Sequence, residues 1–313
     1  LKLLQFKLRP LSAWRTPWQA DTLTGLLCWT VARLGERDLL EDGITGPALG
    51  GKPPFVLSDA FPGELLPVPI TAYLQPWPDE QRKFVKRTRW LTRASLIHAR
   101  SHGSFRIEDL LPDRAFIGQA RLRNTLDRAT QGTPERGGLW PSSETWLARE
   151  QPYLSVYARV SGEFAPTLVR LMRELAATGF GADTSAGLGQ FELLGEPETA
   201  GSLDEPLATT NGCMALSTFQ PAASDPTHGF WESFVKYGKL GPDFGLDNEQ
   251  IYKRPLLMLR PGACFATPTF RPFLGRAIPM DQLLPGGVAS IIRAEKRQVV
   301  HFAFGLAVPF PFP

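Results

Sequence analysis

Residues 179–193 read GFGADTSAGLGQFEL and place Gly179, Gly181, Gly187 and Gly189 within eleven positions. Glycine loses more conformational entropy on folding than any other residue, so such a cluster marks backbone held at positive φ or approached closely by a second backbone or a ligand. The flanks give the loop its direction. Upstream, Leu168, Leu171, Met172 and Leu175 recur at i, i+3, i+4 and i+7, with Pro166 near the start and Gly179 at the stop, which predicts an amphipathic helix. Downstream, QFELLG predicts a short strand. Helix, loop, strand is the reverse of the nucleotide-binding order, in which a strand leads through glycines to a helix N-terminus. Here an anion would meet the negative end of a helix dipole, and no Lys follows the last glycine. A helix C-cap accounts for Gly179 and Gly181. Gly187 and Gly189 need another reason.

Around this loop the periodicity gives a mixed pattern. Leu4, Phe6 and Leu8 predict a first strand, and ADTLTGLLCWTVARL predicts a helix capped by Asp21 or Thr22, with Leu23, Leu26, Leu27, Val31 and Leu34 as its buried stripe. YLSVYARV alternates as a further strand before the helix, loop and strand already described. This is the ferredoxin-like, RRM-like element order. The expected fold is α+β: an N-terminal domain over 1–200, with a long insertion at about 52–150, and a smaller ferredoxin-like domain over 201–313. In the second domain CMALSTFQP, RPLLMLRPGACF, GVASIIR and QVVHFAFGLAVPF read as strands and GFWESFVKYG as a short helix.

A net charge of +3 does not by itself demand a polyanionic partner. Its distribution is more informative. Between Gln81 and Ile107 the chain carries Arg82, Lys83, Lys86, Arg87, Arg89, Arg93, Arg100 and Arg106 with no acid, which is either a nucleic-acid footprint or a face whose acids come from elsewhere in the fold. Cys28, Cys213 and Cys264 form no CxxC pair, so neither a disulfide framework nor a zinc ribbon is expected, and a reducing cytoplasm is. No run is long and apolar enough for a membrane span.

Catalytic candidates are sparse. His98 and His102, at i and i+4, could share a helix face, but no third ligand accompanies them; His228 and His301 stand alone. Asp109 with Asp113, and Asp243 with Asp247, sit among turn residues that explain them as caps or turn formers. No GxSxG is present. No cofactor or metal is expected.

GFGADTSAGLGQFEL resembles the signature loop of the RAMP superfamily of CRISPR proteins, where two Gly-x-Gly pairs lie between a helix and the last strand of a ferredoxin-like domain. The opening LKLLQFKLRPLSAWRTPWQADTLTGLLCWTV is similar to that of its Cas-five-like branch. FVLSDAFPGELLPVP and RNTLDRATQGTPERGGLW resemble two further blocks of the fourth-Csm-subunit family of type III-A CRISPR interference complexes. The resemblance implies a non-catalytic, RNA-binding subunit in antiviral defence. It would hold the repeat-derived 5′ tag of the CRISPR RNA and sit between the large polymerase-cyclase subunit and the backbone RAMP filament, with target RNA nearby. By position, Gly179, Gly181, Thr184, Ser185, Ala186, Gly187, Leu188 and Gly189 would line the tag groove. Ser12, Gln19, Asp21 and Thr22 would border it, and Arg123, Asn124 and Arg128 would belong to a β-hairpin thumb. Trp14, Trp18 and Trp90 are stacking candidates for splayed bases, with core packing as the alternative for each. Related loops often carry Arg or Lys before the second Gly-x-Gly, where this chain has Asp183, Thr184 and Ser185, so cations must come from elsewhere. The rival reading is an endoribonuclease of the same superfamily that processes precursor CRISPR RNA. In those enzymes the loop lies close to the C-terminus; here over a hundred residues follow it. A third reading is a protein scaffold that never touches RNA.

Overall fold

The computed structural model describes residues 1–205, 211–240, 252–294 and 298–313. Asp243 and Asp247 lie outside the described residues. Strand β1 (Lys2–Pro10) occupies the middle of the first sheet and buries Phe6 and Leu8. A turn over 11–19 leads into α1 (Ala20–Arg33), where Leu23, Leu27 and Val31 form the fully buried stripe. The expected stripe ends one residue early, because Leu34 terminates the helix and is 44% exposed. The expected cap is also displaced. Gln19 precedes the helix without a side-chain cap, and the Ala20 N–H donates at 2.9 Å to the carboxylate of Asp59, from another strand. Asp21 is itself buried in the first turn and bound to Lys236, a tertiary demand that local capping rules do not contain.

The chain continues through α2 (Gly46–Leu49) into β2 (Phe55–Pro62). β3 (Leu65–Pro67), β4 (Thr88–Thr92) and β5 (Leu110–Pro112) form a small sheet carrying α3 (Asp79–Val85) and α4 (Arg93–His102). β6 (Phe116–Asn124) and β7 (Leu139–Leu147) pair with each other as a long hairpin, joined to the rest of the chain by a bridge between Thr145 and Trp14. Then follow β8 (Leu154–Val160), α5 (Ala165–Thr178), β9 (Phe191–Leu193) and β10 (Glu198–Thr199). The first sheet runs β10-β1-β8-β2, with β9 also beside β1, and every pairing is antiparallel. Helix α1 thus carries the chain from β1 to β2 with β8 between them. β2, at the start of the expected insertion, is a strand of this main sheet.

The second unit comprises β11 (Gly212–Ala215), β12 (Gly229–Phe230), β13 (Ser233–Lys236), β14 (Leu256–Leu259), β15 (Cys264–Ala266), β16 (Phe273–Pro279), α6 (Gly286–Ala294) and β17 (Val300–Pro309). Its sheet runs β12-β15-β11-β17-β16, antiparallel throughout, and does not repeat the split order of the first. Two elements exchange type relative to expectation. GFWESFVKYG is β12 and β13, because pairing with β14 turns Phe234 inward opposite Met258 and leaves Val235 outside opposite Leu257. GVASIIR lies in α6, with Ala289 and Ile292 buried one turn apart. A short apolar run does not distinguish a strand from a buried helix.

The two units share a core. Along β17, Phe302, Phe304, Leu306 and Val308 join the cluster built on β1, α1 and α5, while Ala303 and Ala307 face the second unit's own clusters. Polar seams reinforce the contact. Asp59 accepts the Thr218 N–H at 2.8 Å and its hydroxyl at 2.7 Å, and Arg159 forks onto Asp204 at 2.7 Å while donating to the Ala307 carbonyl. Among the described residues no helix is long and apolar enough to cross a membrane.

Candidate nucleic-acid interface

All four loop glycines adopt positive φ. For three of them space is a second requirement. A Cβ on Gly189 would lie 1.9 Å from the Phe180 carbonyl oxygen, one on Gly181 would strike Thr16 at 2.6 Å, and one on Gly179 would meet Gln190 at 2.7 Å. Gly187 alone is surrounded by open space. The second Gly-x-Gly pair therefore has two explanations: Gly189 lets the loop close on its own start, and Gly187 supplies a left-handed turn. The closing contacts are the Phe180 N–H to the Gly189 carbonyl at 2.8 Å and the Gly189 N–H to the Ala13 carbonyl at 2.7 Å.

Much of the loop's amide set is consumed in this closure. Ala182 donates to the Thr16 hydroxyl, Ala186 and Leu188 to the Asp183 carbonyl, Gly187 to the Thr184 carbonyl and Gln190 to the Ser12 hydroxyl. Among the described residues, the amides of Gly181, Asp183, Thr184 and Ser185 have no acceptor. Asp183 is itself held at positive φ, and its carboxylate binds Arg15 at 2.5 Å. That pair answers the acid in the loop, and Arg15 is a residue the sequence pattern did not single out.

The turn over 11–19 forms one wall of a cavity of about 660 Å³. Trp18 is buried and stacks on Phe180 with ring centres 3.8 Å apart, and Trp14 packs edge-on against Trp18 and Phe116. Core packing thus claims both rings, although each shows an edge to the cavity, and the Trp18 Nε1 has no hydrogen-bond partner among the described residues. The half-buried Trp90 lines the opposite side, its Nε1 bound to Asp113 at 3.0 Å, with Tyr73 and Arg89 beside it. The second unit contributes Arg260, whose guanidinium lies 4.6 Å from the ring centre of Phe234. Three arginines and an aromatic set therefore face one half-open space, together with the carboxylates of Asp59, Asp113 and Glu232, the last 3.9 Å from Arg260; the arginines suit phosphate and the rings suit stacked bases. At its floor, burial pushes the Asp59 carboxyl up to about 6, against the hydrogen bonds from Thr218 and Ala20 that pull it down.

The expected thumb is present as β6 and β7, anchored at its base by the reciprocal backbone pair of Trp14 with Thr145. Its named residues stand apart from the loop. Arg123 lies five residues beyond Gly118, the partner of Thr145, or roughly 17 Å along the strand. Arg123 binds the buried Glu144 at 2.9 Å, Asn124 donates to Thr133, and Arg128 is exposed in the connection with no ion pair among the described residues. Gln19, Asp21 and Thr22 all meet Lys236, at 2.6, 2.7 and 3.3 Å. Gln19 belongs to the cavity just described, whereas Asp21 and Thr22 open onto a second one.

The basic stretch from 81 to 107 divides. Arg100 is buried and donates to the carbonyls of Ser202, Leu203 and Glu205, Arg106 pairs with Asp109, Arg93 lies 3.4 Å from Glu64, and Arg89 reaches the cavity. Arg106 and the Ser95 hydroxyl hold the Asp109 carboxyl below the ordinary carboxylate range. His98 and His102 stack at 4.0 Å on α4, and no histidine lines the cavity beside the loop. Among the described residues no group of three or more His, Cys, Asp or Glu side chains is placed to hold a metal ion.

No protein-family model matches the chain, and no curated protein matches it. Solved structures do. A chain from a Csm1–Csm4 cassette in complex with pppApA superposes with a TM-score of 0.63 at 16% identity, covering 100% of this chain and 99% of that one. A cassette in complex with AMPPNP gives 0.61 at 16% identity over the same shares. A chain from the Csm3–Csm4 subcomplex of the type III-A CRISPR-Cas interference complex gives 0.58 at 14% identity, covering 99% of this chain and 100% of that one. From end to end, this protein shares the mixed α/β, mostly antiparallel fold of a chain found in those Csm4-containing assemblies.

Proposed function

We propose that this chain is the Csm4-like subunit of a type III-A CRISPR effector complex, a non-catalytic RNA-binding RAMP protein that anchors the repeat-derived 5′ tag of the CRISPR RNA. In this reading the first unit is its ferredoxin-like RAMP domain. The chain joins the large Csm1-type subunit to the Csm3-type backbone, with target RNA nearby. One observation carries the proposal: the full-length likeness extends to a Csm1–Csm4 cassette and to a Csm3–Csm4 subcomplex, and Csm4 is the component the two have in common.

The tag's bases enter the cavity between the turn over 11–19, Trp90 and Arg260. Arg15, Arg89 and Arg260 meet phosphates, and Trp90 and Tyr73 offer ring faces. The glycine loop backs the turn and fixes Arg15 and Trp18, and the amides of Thr184 and Ser185 are without an acceptor among the described residues. The processing-ribonuclease alternative finds less support, since no histidine lies among the residues lining that space.

The test is native purification of the tagged chain from its own cells, with bound proteins identified and bound RNA sequenced. Csm1-type and Csm3-type subunits with a uniform repeat-derived 5′ end are the expected result. A free chain without RNA overturns the proposal in favour of a scaffold, and the lone chain on cleaved repeat ends overturns it in favour of the ribonuclease.

A further inference from the structure

A second cavity, of about 760 Å³, lies between α1 and the second unit, on the other side of the 11–19 turn from the first. Its floor is basic. Lys236 is committed to Gln19, Asp21 and Thr22, and the second oxygen of Asp21 faces the His301 Nε2 at 3.5 Å. Lys253 has no carboxylate within ion-pair distance among the described residues; its side-chain contact is the His301 Nδ1, at 3.5 Å. His301 is 7% exposed, and its Nε2 makes no hydrogen bond among the described residues. Two lysines and a histidine thus share one buried carboxylate. Enclosing excess positive charge is costly unless an anion completes the set. That cost is visible in the titration of the floor, where burial pushes Lys253 down to about 8 and His301 down to about 4. Above the floor an apolar wall of Leu26, Trp29, Leu240, Leu256 and Phe302 is flanked by charged side chains, Arg33, Arg37, Glu41 and Arg254. The volume falls in the range of small-ligand sites, and an ammonium is a point-charge partner for phosphate.

We propose that this cavity binds a phosphate-bearing nucleotide, with the phosphate on Lys253 beside His301 and the base against the Leu26 and Trp29 wall. A free nucleotide and the terminal nucleotide of an RNA share this chemistry. The inference does not rest on RNA occupying the first cavity.

Isothermal titration of the full chain with adenosine and uridine 5′-monophosphate, and separately with inorganic phosphate, tests it. Saturable one-to-one binding of a mononucleotide is expected, tighter than that of phosphate alone. Lys253→Met, which keeps the stem and removes the charge, should lower affinity about tenfold or more. The same variant should melt no lower than the wild type, since it removes a poorly compensated buried charge. Lys52→Met, at an exposed lysine that lines neither cavity, should leave mononucleotide binding unchanged. Displacement of the mononucleotide by a 5′-phosphorylated RNA oligomer assigns the site to an RNA terminus, and simultaneous binding of both assigns it to a free nucleotide. Absence of saturable binding to the folded wild-type chain at millimolar probe, or equal affinity in a folded Lys253→Met protein, overturns the proposal.

Discussion

The thumb hairpin borders the first cavity through Phe116 and Thr145, the glycine loop packs behind the 11–19 turn that walls it, and the two are built in opposite ways. The loop is tied to the core at several points: Phe180 stacks on Trp18, Ser12 and Thr16 accept loop amides, and Asp183 holds Arg15. In the hairpin Ile117, Leu122, Leu139, Trp140 and Trp146 are exposed, and beyond Thr145 its strands pair only with each other. An isolated two-stranded ribbon is marginal in water without further packing. The loop is a finished part of the core, and the hairpin is a projecting arm whose apolar side chains await other surfaces.

The sharpest way to break this comparison lies inside the loop. Gly189→Ala places a methyl group 1.9 Å from a backbone oxygen that cannot rotate away, so the variant should lose about 3 kcal/mol or more, or fail to fold. Gly187→Ala meets no neighbour and incurs only the left-handed penalty, about 1 kcal/mol. Chemical denaturation of the two proteins measures the gap. Equal stability would mean that the loop does not close on Phe180. Consequently, only Gly187 can be substituted to probe RNA contact without probing the fold.

The next effect separates the wall from the arm in binding. Trp90→Ala should weaken binding of a tag RNA by about 1–3 kcal/mol if one base stacks there. Arg128→Ala, out on the hairpin connection, should change mainly the salt dependence, lowering the log-log slope by about 0.7 for a lost single-strand phosphate contact. Fluorescence anisotropy across a salt series reads both. An unchanged affinity in a folded Trp90→Ala protein removes the first cavity from the tag path.

How far the sequence reached follows the same division. Local signals were legible: α5, β8, β9, β17 and the hairpin lie where periodicity and the family blocks put them, and the positive φ of all four glycines follows from their clustering. What decides the site is not local. Asp59 caps α1 from 39 residues away, Arg15 meets Asp183 across 168, and Lys236 reaches Asp21 across 215, so no window of the sequence contains these pairs. The tryptophans show the limit most clearly. Trp14, Trp18 and Trp90 look alike in the sequence, and only the tertiary structure sends two into the core and leaves the third half-exposed. β13 and α6 differ from the expected elements for the related reason that brief apolar runs acquire a period only from their partners.

Asp59 allows the joint between the units to be tested by pH. Burial raises its carboxyl from 3.8 to about 6, so the folded chain holds this proton more tightly than the unfolded one. Its contribution to stability is complete below pH 3.8 and is lost as pH rises through about 6, at no more than about 1.4 kcal/mol per pH unit. His301, lowered from 6.5 to about 4, has the opposite sign: its contribution is present above pH 6.5 and is lost as pH falls through about 4. The two slopes oppose each other in the wild type. Asp59→Asn should therefore leave a protein whose stability rises more steeply with pH between about 4 and 6 than that of the wild type. Parallel curves would mean that Asp59 is not the proton-holding group at the joint.

The smallest effect is expected in the arm. Glu144 is 2% exposed, near the buried Ser142, on a hairpin whose other residues are mostly exposed, and is covered by Arg123 at 2.9 Å and by Arg121 at 3.9 Å. Glu144→Gln removes the charge but keeps an acceptor, and the hairpin shares little of the core. Global unfolding should therefore shift by less than about 1 kcal/mol, while amide exchange across β6 and β7 accelerates. The same substitution frees the Arg123 guanidinium, so the variant should bind single-stranded RNA with a slightly steeper salt dependence. A large loss of global stability would show that the hairpin is part of the cooperative core after all. Unchanged exchange would show that Glu144 does not hold the arm's two strands in register.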